Sequence, residues 1–299
     1  MNLDGIINLN KPSGPTSMEM VRMVKRVTGE KKVGHGGTLD PFASGVLPIC
    51  FGRANRLMQY LIDRKKVYKA KIHLGIVTDS FDSFGKVIRE DDSSTVTEQI
   101  LVDTLGQFVG LINQVPPMFS ALKKNGQRLY ELARLGQEVE RAPRVVTVYR
   151  IELVDWNPPE VSLRIECGRG VYIRSLAYDL GEILGCGAFL KELTRLRAGP
   201  FSIEGSTTPE EFVSLGETGG WTQILSPADI ILKDVKEAVV EFEIESFLRH
   251  GRKISLEKFS NMEVVHGEIC RVYNPSGEFL GIVNFDSVDQ LWQPKLVFG

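Results

Sequence analysis

The alternating runs VTVYRIELVDW (146–156) and VSLRIECGRGVYI (161–173) follow one another with only Asn157 to Glu160 between them. Apolar and polar side chains largely alternate in each run, the pattern of a half-buried strand. So short a gap makes the two runs neighbours in a hairpin, because parallel neighbours need a crossover of about a dozen residues or more. VYKAKIHLGIVT (67–78) is a third such run, and DSFDSFGKVI (79–88) reads as a hairpin turn. A calcium loop is excluded there, since Asp79 and Asp82 miss the required spacing of acids. Helical segments are interleaved with these strands. Thr16 to Glu19 form a capping box ahead of Met20, Met23, Val24 and Val27, and Gly29 ends that run. Residues 55–62, 96–111, the end of 116–136, and 174–185 also carry helical spacing. The order predicts an α+β fold with a central, mostly antiparallel mixed sheet flanked by helices, rather than a doubly wound parallel one.

With 299 residues the chain is expected to form two domains, 1–235 and 236–299. The Gly/Thr/Glu-rich stretch 204–222 reads as a peripheral excursion or linker. Beyond residue 236 the short runs VVEFEI, EVVHGEICRVYN and EFLGIVNF, with the turn Asn274 to Gly277, predict a small C-terminal β-barrel. The start of the chain lacks the pattern of a signal peptide, and no stretch is apolar for long enough to span a bilayer, so a cytoplasmic location and no membrane partner are expected. Cys50, Cys167, Cys186 and Cys270 contain no C-x-x-C pair and are expected as reduced thiols. Charge is divided unevenly: residues 1–200 hold 28 Lys/Arg against 22 Asp/Glu, and residues 201–299 hold 8 against 16. The basic part can attract a polyanion although the whole chain is near neutral.

One stretch, KKVGHGGTLDPFASGVLPICFG (31–52), concentrates chemistry. It is expected as a loop, with Gly34, Gly36, Gly37 and Gly45 giving shape and Pro41 and Pro48 giving stiffness. Neither phosphate-binding glycine pattern is present, because Leu39 stands where the third glycine would be. The nucleophile elbow fails because Phe42 takes its first glycine position. The four histidines show no metal-ligand spacing, and no metal is expected. Pro41 biases Asp40 toward an extended backbone, so its carboxylate projects at a fixed angle. A single acid cannot serve as a two-carboxylate glycosidase. The residues alone leave Asp40 open between a turn-forming Asp and a chemical role.

The segment GHGGTLDPFASGVLP (34–48) resembles the signature of the TruB-type tRNA pseudouridine synthases, bacterial enzymes that isomerise uridine 55 in the T-loop. NKPSGPTS (10–17), KVYKA (66–70), VPPMFSALK (115–123), GVYIRSLAYDLG (170–181) and TRLRAGPF (194–201) match further family blocks in order. The likeness runs over residues 3–230. LRHGRKI (248–254) and the strands after it resemble a PUA domain, although residues 236–299 hold 7 basic against 10 acidic residues.

The resemblance implies the pseudouridine synthase fold with a PUA-like C-terminal module, no cofactor, the T-arm of tRNA as partner, no obligatory protein partner and a monomer. It implies Asp40 as nucleophile, Arg174 as its ionic partner and Tyr68 as the residue that stacks on the target base and assists proton transfer. Tyr172 and Leu193 would line the uridine pocket, and Lys11 would fix the N-terminal segment near the active loop. His35 would fill the space left by the extruded base. Arg64 to Lys66, Lys123, Lys124, Arg128, Arg141 and Arg144 are candidate phosphate contacts. A tRNA-binding or RNA-folding protein with secondary catalysis is the alternative. The RNA-guided relatives of the family are disfavoured by the lack of a basic tail.

Overall fold

The computed structural model describes residues 3–124, 126–259 and 262–298; the other six positions, which fall inside the two expected domains, lie outside the described residues. The chain begins with β1 (Gly5–Lys11), followed by α1 (Ser17–Thr28). Thr16 Oγ1 accepts the Glu19 N–H at 3.1 Å, the Glu19 carboxylate accepts the Thr16 N–H at 2.6 Å, and Gly29 closes the helix in the left-handed region. Half of the stretch expected as a loop is strand: β2 (Val33–His35) and β3 (Ser44–Phe51) are joined by residues 36–43. The reason lies in Val46, Leu47, Ile49, Cys50 and Phe51, all fully buried. Pro48 remains in the ladder because its carbonyl accepts the Gly36 N–H at 2.8 Å.

A 3-10 turn at 52–57 leads into α2 (Met58–Asp63), then β4 (Lys66–Leu74), β5 (Ile76–Thr78) and β6 (Val87–Glu90), the last two forming a hairpin. α3 (Glu98–Leu105) ends before β7 (Gly110–Gln114), so the helical spacing read over 96–111 overruns into a strand. The pairing strands β8 (Lys123–Lys124) and β9 (Gln127–Arg128) precede α4 (Leu129–Arg134). β10 (Arg144–Asn157) and β11 (Glu160–Cys167) form the expected hairpin, but the second run stops at Cys167 and its end becomes the entry to α5 (Ile173–Leu184). β12 (Ala188–Ala198) and β13 (Phe201–Ser202) complete the large sheet. The expected linker is instead α6 (Pro209–Glu217) and a 3-10 turn, which bury Phe212 and Trp221 in the main core.

The nine-stranded sheet has the order β1-β3-β12-β4-β11-β10-β7, with β2 on β3 and β13 on β12. Its pairs are antiparallel except β12 with β3, so the sheet is mixed and mostly antiparallel as expected. Side chains alternate across it. Ile7, Leu47 and Ile49 enter the main core with Val21, Leu101, Leu176 and Phe212 from the helices. Ile6, Val46 and Cys50 enter a second cluster that also holds Ile282, Leu296 and Phe298.

Ile282 and Leu296 belong to a four-stranded sheet made of β14 (Lys236–Val239), β15 (Ile269–Tyr273), β16 (Phe279–Asp286) and β17 (Leu291–Val297) in that order, and Phe298 directly follows the last strand. VVEFEI is strand only to Val239. α7 (Phe242–Arg249) follows, because Ile244 and Leu248 at helical spacing turn into the local core. Among the described residues no helix is long and apolar enough to cross a membrane, and no cluster of His, Cys, Asp and Glu could hold a metal ion.

Candidate active site

The main chain of residues 36–43 is gripped from several elements. Ser17, the first residue of α1, donates through Oγ to the Leu39 carbonyl at 2.9 Å and accepts the Leu39 N–H at 2.9 Å. Ser13 Oγ donates to the Phe42 carbonyl at 2.8 Å. Lys11, fully buried at the end of β1, donates through Nζ to the carbonyls of Pro12, Pro41 and Ala43 at 2.8, 3.1 and 2.7 Å. Burial pulls its ammonium down to about 8, with the nearby Asp40 charge opposing that shift.

Arg195 grips the same segment from β12. It donates to the carbonyls of Val46, Gly37 and Thr38 at 2.7, 3.1 and 3.5 Å, and it is 1% exposed. No carboxylate pairs with it among the described residues. Gly45, opposite Arg195 where β3 meets β12, has φ +101, and any Cβ there would collide with the Arg195 main chain. Only glycine lets the two strands close at this point.

Asp40 projects from this fixed segment toward Arg174, in the first turn of α5. Arg174 Nε lies 2.9 Å from Asp40 Oδ2 without the alignment of a hydrogen bond, an ion pair in which the arginine is 3% exposed and the carboxylate 33%. Nη2 of Arg174 donates to the Phe119 carbonyl at 2.9 Å, and Nη1 lies 3.4 Å from Asp82 Oδ2. Asp82 is buried in the β5–β6 turn, where its Oδ1 accepts from Ser80 Oγ at 2.6 Å and from the Phe84 N–H at 3.0 Å. Burial raises the Asp82 carboxyl above its ordinary range, and the Ser80 bond and Arg174 oppose it. One rigid guanidinium thus spans two carboxylates, one sealed and one reachable.

Beneath the pair lies one face of β4 and β12. Tyr68 stands opposite Arg195 and Ala70 opposite Leu193, so Tyr68, Leu193 and Arg195 share a face. Tyr68 is half-buried and its phenol is raised by burial, with Arg195 opposing. Tyr172 precedes α5, held by Gln114, whose side chain accepts its N–H at 2.8 Å and donates to its carbonyl at 3.0 Å. Its phenol is also raised by burial, and the Asp40 charge adds to the shift. His35 stands on β2 opposite Ile49, with Nδ1 buried and unpartnered. Burial, aided by Arg195, lowers the imidazole below its ordinary value, so the ring is neutral. The structure therefore gathers Arg174, Lys11, Tyr68 and Tyr172 about Asp40, with Leu193 on the same sheet face as Tyr68 and His35 within the field of Arg195.

Residues 25–173 match the TruB family pseudouridylate synthase N-terminal domain, and residues 174–241 match the tRNA pseudouridylate synthase B C-terminal domain. The chain belongs to the TruB family. A tRNA pseudouridine synthase B of Dehalococcoides mccartyi is 43% identical over 99% of this chain and 97% of its own length. Its counterpart in Clostridium acetobutylicum is 43% identical over 94% of this chain and 96% of its own. Among solved structures, an H/ACA RNP bound to a substrate RNA containing 2'-deoxyuridine aligns with TM-score 0.75 and 26% identity, covering 99% of this chain and 85% of that one. A Cbf5–Nop10–Gar1 complex aligns with TM-score 0.72 and 28% identity, covering 94% and 78%.

In this TruB-family chain Asp82, Gln114 and Arg195 join the site without having been expected there. Asp82 reads in the sequence as a turn acid, and Gln114 lies between the segments that carry a pattern. Arg195 sits inside a quoted block, yet only folding shows that its partners are carbonyls from another strand. The candidate phosphate contacts divide. Arg64 pairs with Asp234 at 2.6 Å and bonds the Ile231 carbonyl, and Lys66 is 7% exposed, so both serve the fold. Lys65 pairs with Glu166 at 2.9 Å, Arg141 lies 3.5 Å from Glu138, and Lys124 donates to the Glu140 carbonyl. Lys123, Arg128 and Arg144 are exposed.

Proposed function

We propose that this pseudouridylate synthase converts uridine 55 in the T-loop of tRNA to pseudouridine, with Asp40 as the nucleophile. The observation that carries the reading is the Asp40–Arg174 pair, in which a carboxylate one-third exposed faces a guanidinium nearly sealed from solvent. A guanidinium beside a carboxylate favours the ionised form that a nucleophile needs. Arg174 cannot swing away, because Phe119, Ser80 and Asp82 hold its other nitrogens.

The reaction breaks the C1′–N1 bond and rejoins the ring through C5, after which the C5 proton must leave and N1 must gain one. Asp40 holds the covalent intermediate while the ring turns over Tyr68, with Leu193 and Tyr172 as walls. Tyr68 stacks on the ring and assists the transfer of the proton that leaves C5. Extruding a base from its stack costs a few kcal/mol, and the neutral face of His35 offsets part of that by occupying the vacated space. Residues 1–235 are read as the catalytic domain and 236–299 as a PUA-like RNA-binding domain, acting as a cytoplasmic monomer on the T-arm.

The test is incubation with an unmodified tRNA transcript, carbodiimide labelling and primer extension. A stop at position 55 that disappears in Asp40→Asn supports the reading. Tight binding without any stop in the unaltered protein favours the tRNA-binding alternative, and equal activity in D40N removes Asp40 from its role.

A further inference from the structure

The turn between β5 and β6 presents an aromatic ring that the reaction does not require. Phe84 is 66% exposed, although the turn carrying it is tightly built. Thr78 Oγ1 donates to the Asp82 carbonyl at 2.8 Å, the Gly85 N–H donates to the same carbonyl at 3.2 Å, and the Asp79 carboxylate accepts the Lys86 N–H at 2.9 Å. A side chain at Gly85 would run into Ser80 and Asp79. Phe81 adopts φ +63, a conformation that phenylalanine takes only when its surroundings hold it. Its ring stacks on Tyr178 of α5 at 4.1 Å between centroids, which fastens the turn to the helix bearing Arg174. Phe84 is therefore an apolar ring on a rigid mount.

Two independent routes place that ring close to the Asp40–Arg174 pair. Its own N–H binds Asp82 Oδ1 at 3.0 Å, and Oδ2 of the same carboxylate lies 3.4 Å from Arg174, which pairs with Asp40. Its ring also meets Phe42 edge-on, 6.1 Å between centroids, and Phe42 is two residues beyond Asp40. A lone exposed phenylalanine needs no explanation on most surfaces. This one stands on a braced turn, edge-on to Phe42 and near a carboxylate whose proposed substrate is an RNA base pulled out of its stack.

We propose that Phe84 is a stacking platform for a second nucleobase of the substrate RNA, one splayed out beside the extruded uridine and not covered by His35. The proposal rests on the reading that Asp40 meets a uridine from RNA. A base that leaves its own stack gains a new partner in an aromatic ring carried on a braced turn, with little further ordering of the main chain that bears it. Stacking tolerates any base, so Phe84 would strengthen binding of the hairpin without adding sequence preference.

Single-turnover kinetics on a T-arm hairpin with Phe84→Ala, Phe84→Leu and Phe84→Trp test this. Alanine and leucine should both raise the half-saturating RNA concentration on the order of 10-fold, the loss of one base–aromatic stack, with the maximal rate kept. Tryptophan should restore affinity, and its added fluorescence, read against the three native tryptophans, should be quenched by RNA. Leucine matching the native protein, a tryptophan signal unmoved by bound RNA, or a loss confined to the maximal rate would each overturn the proposal. Urea midpoints of the three variants show that the fold is retained. If the unaltered enzyme forms no pseudouridine, the functional reading fails instead.

Discussion

Arg195 shows how a single residue can fix the proposed nucleophile, Asp40, without touching it. Its guanidinium holds three carbonyls of the segment bearing Asp40 and faces Tyr68 across the ladder. Arg195→Met leaves those carbonyls without a donor, so the maximal rate should fall on the order of 100-fold, the penalty of a displacement near 1 Å. Stability should fall by about 2–3 kcal/mol. Arg195→Lys should recover part of the rate, and single-turnover kinetics beside urea denaturation separate the two effects. His35 makes a pH prediction. Burial holds its imidazole below the ordinary 6.5, so as the pH falls below that value the unfolded chain takes up a proton that the folded chain refuses. Stability then rises with pH through this window and is lost on acidification. Thermal melts across the window should show a shallower acid slope in His35→Gln. The pairing of Asp40 with Arg174 is legible only through the resemblance of the blocks that hold them, and the structure sets the two 2.9 Å apart. Asp82, Gln114 and Arg195 are not legible, since their roles depend on partners far along the chain that no local spacing encodes.

At the scale of elements, α1 does more than cover the sheet. Its first residue, Ser17, is 2% exposed and bonds both polar groups of the Leu39 main chain. Ser17→Ala should cost about 1–3 kcal/mol by leaving a buried N–H and carbonyl unpaired. It should also slow the reaction more than a cap mutation at Thr16, which is expected to cost about 1 kcal/mol with the rate kept; both are measurable by denaturation and kinetics. The helix itself is legible because its capping box and glycine stop act locally. Strand ends are less so. The alternation of 161–173 continues beyond the point where Gly168 turns the chain and Tyr172 begins α5. In 204–222 the polar composition hides α6, because one fully buried phenylalanine, Phe212, outweighs many surface glutamates. Phe212→Ala should lower stability by about 3–5 kcal/mol.

For the whole molecule, hairpins in sequence are enough to anticipate a mostly antiparallel sheet. They cannot show that β3 and β12, far apart in the chain, lie side by side as the parallel pair that carries the site. Charge division gives a prediction at this scale. Binding of tRNA should weaken steeply with salt, and replacing Lys123, Arg128 and Arg144 together with alanine should flatten the log–log slope by about 2 units if each neutralises one phosphate. Filter binding across a salt series measures it, and an unchanged slope would take those residues out of the RNA path. The residues that grip 37–46 do so through peptide groups, with Lys11, Ser13, Ser17 and Arg195 all addressing main-chain atoms. The placing of the Asp40 carboxylate is thereby uncoupled from the identity of an outward side chain such as Thr38. A mutational library there would vary what the enzyme accepts while the proposed nucleophile stays where it is.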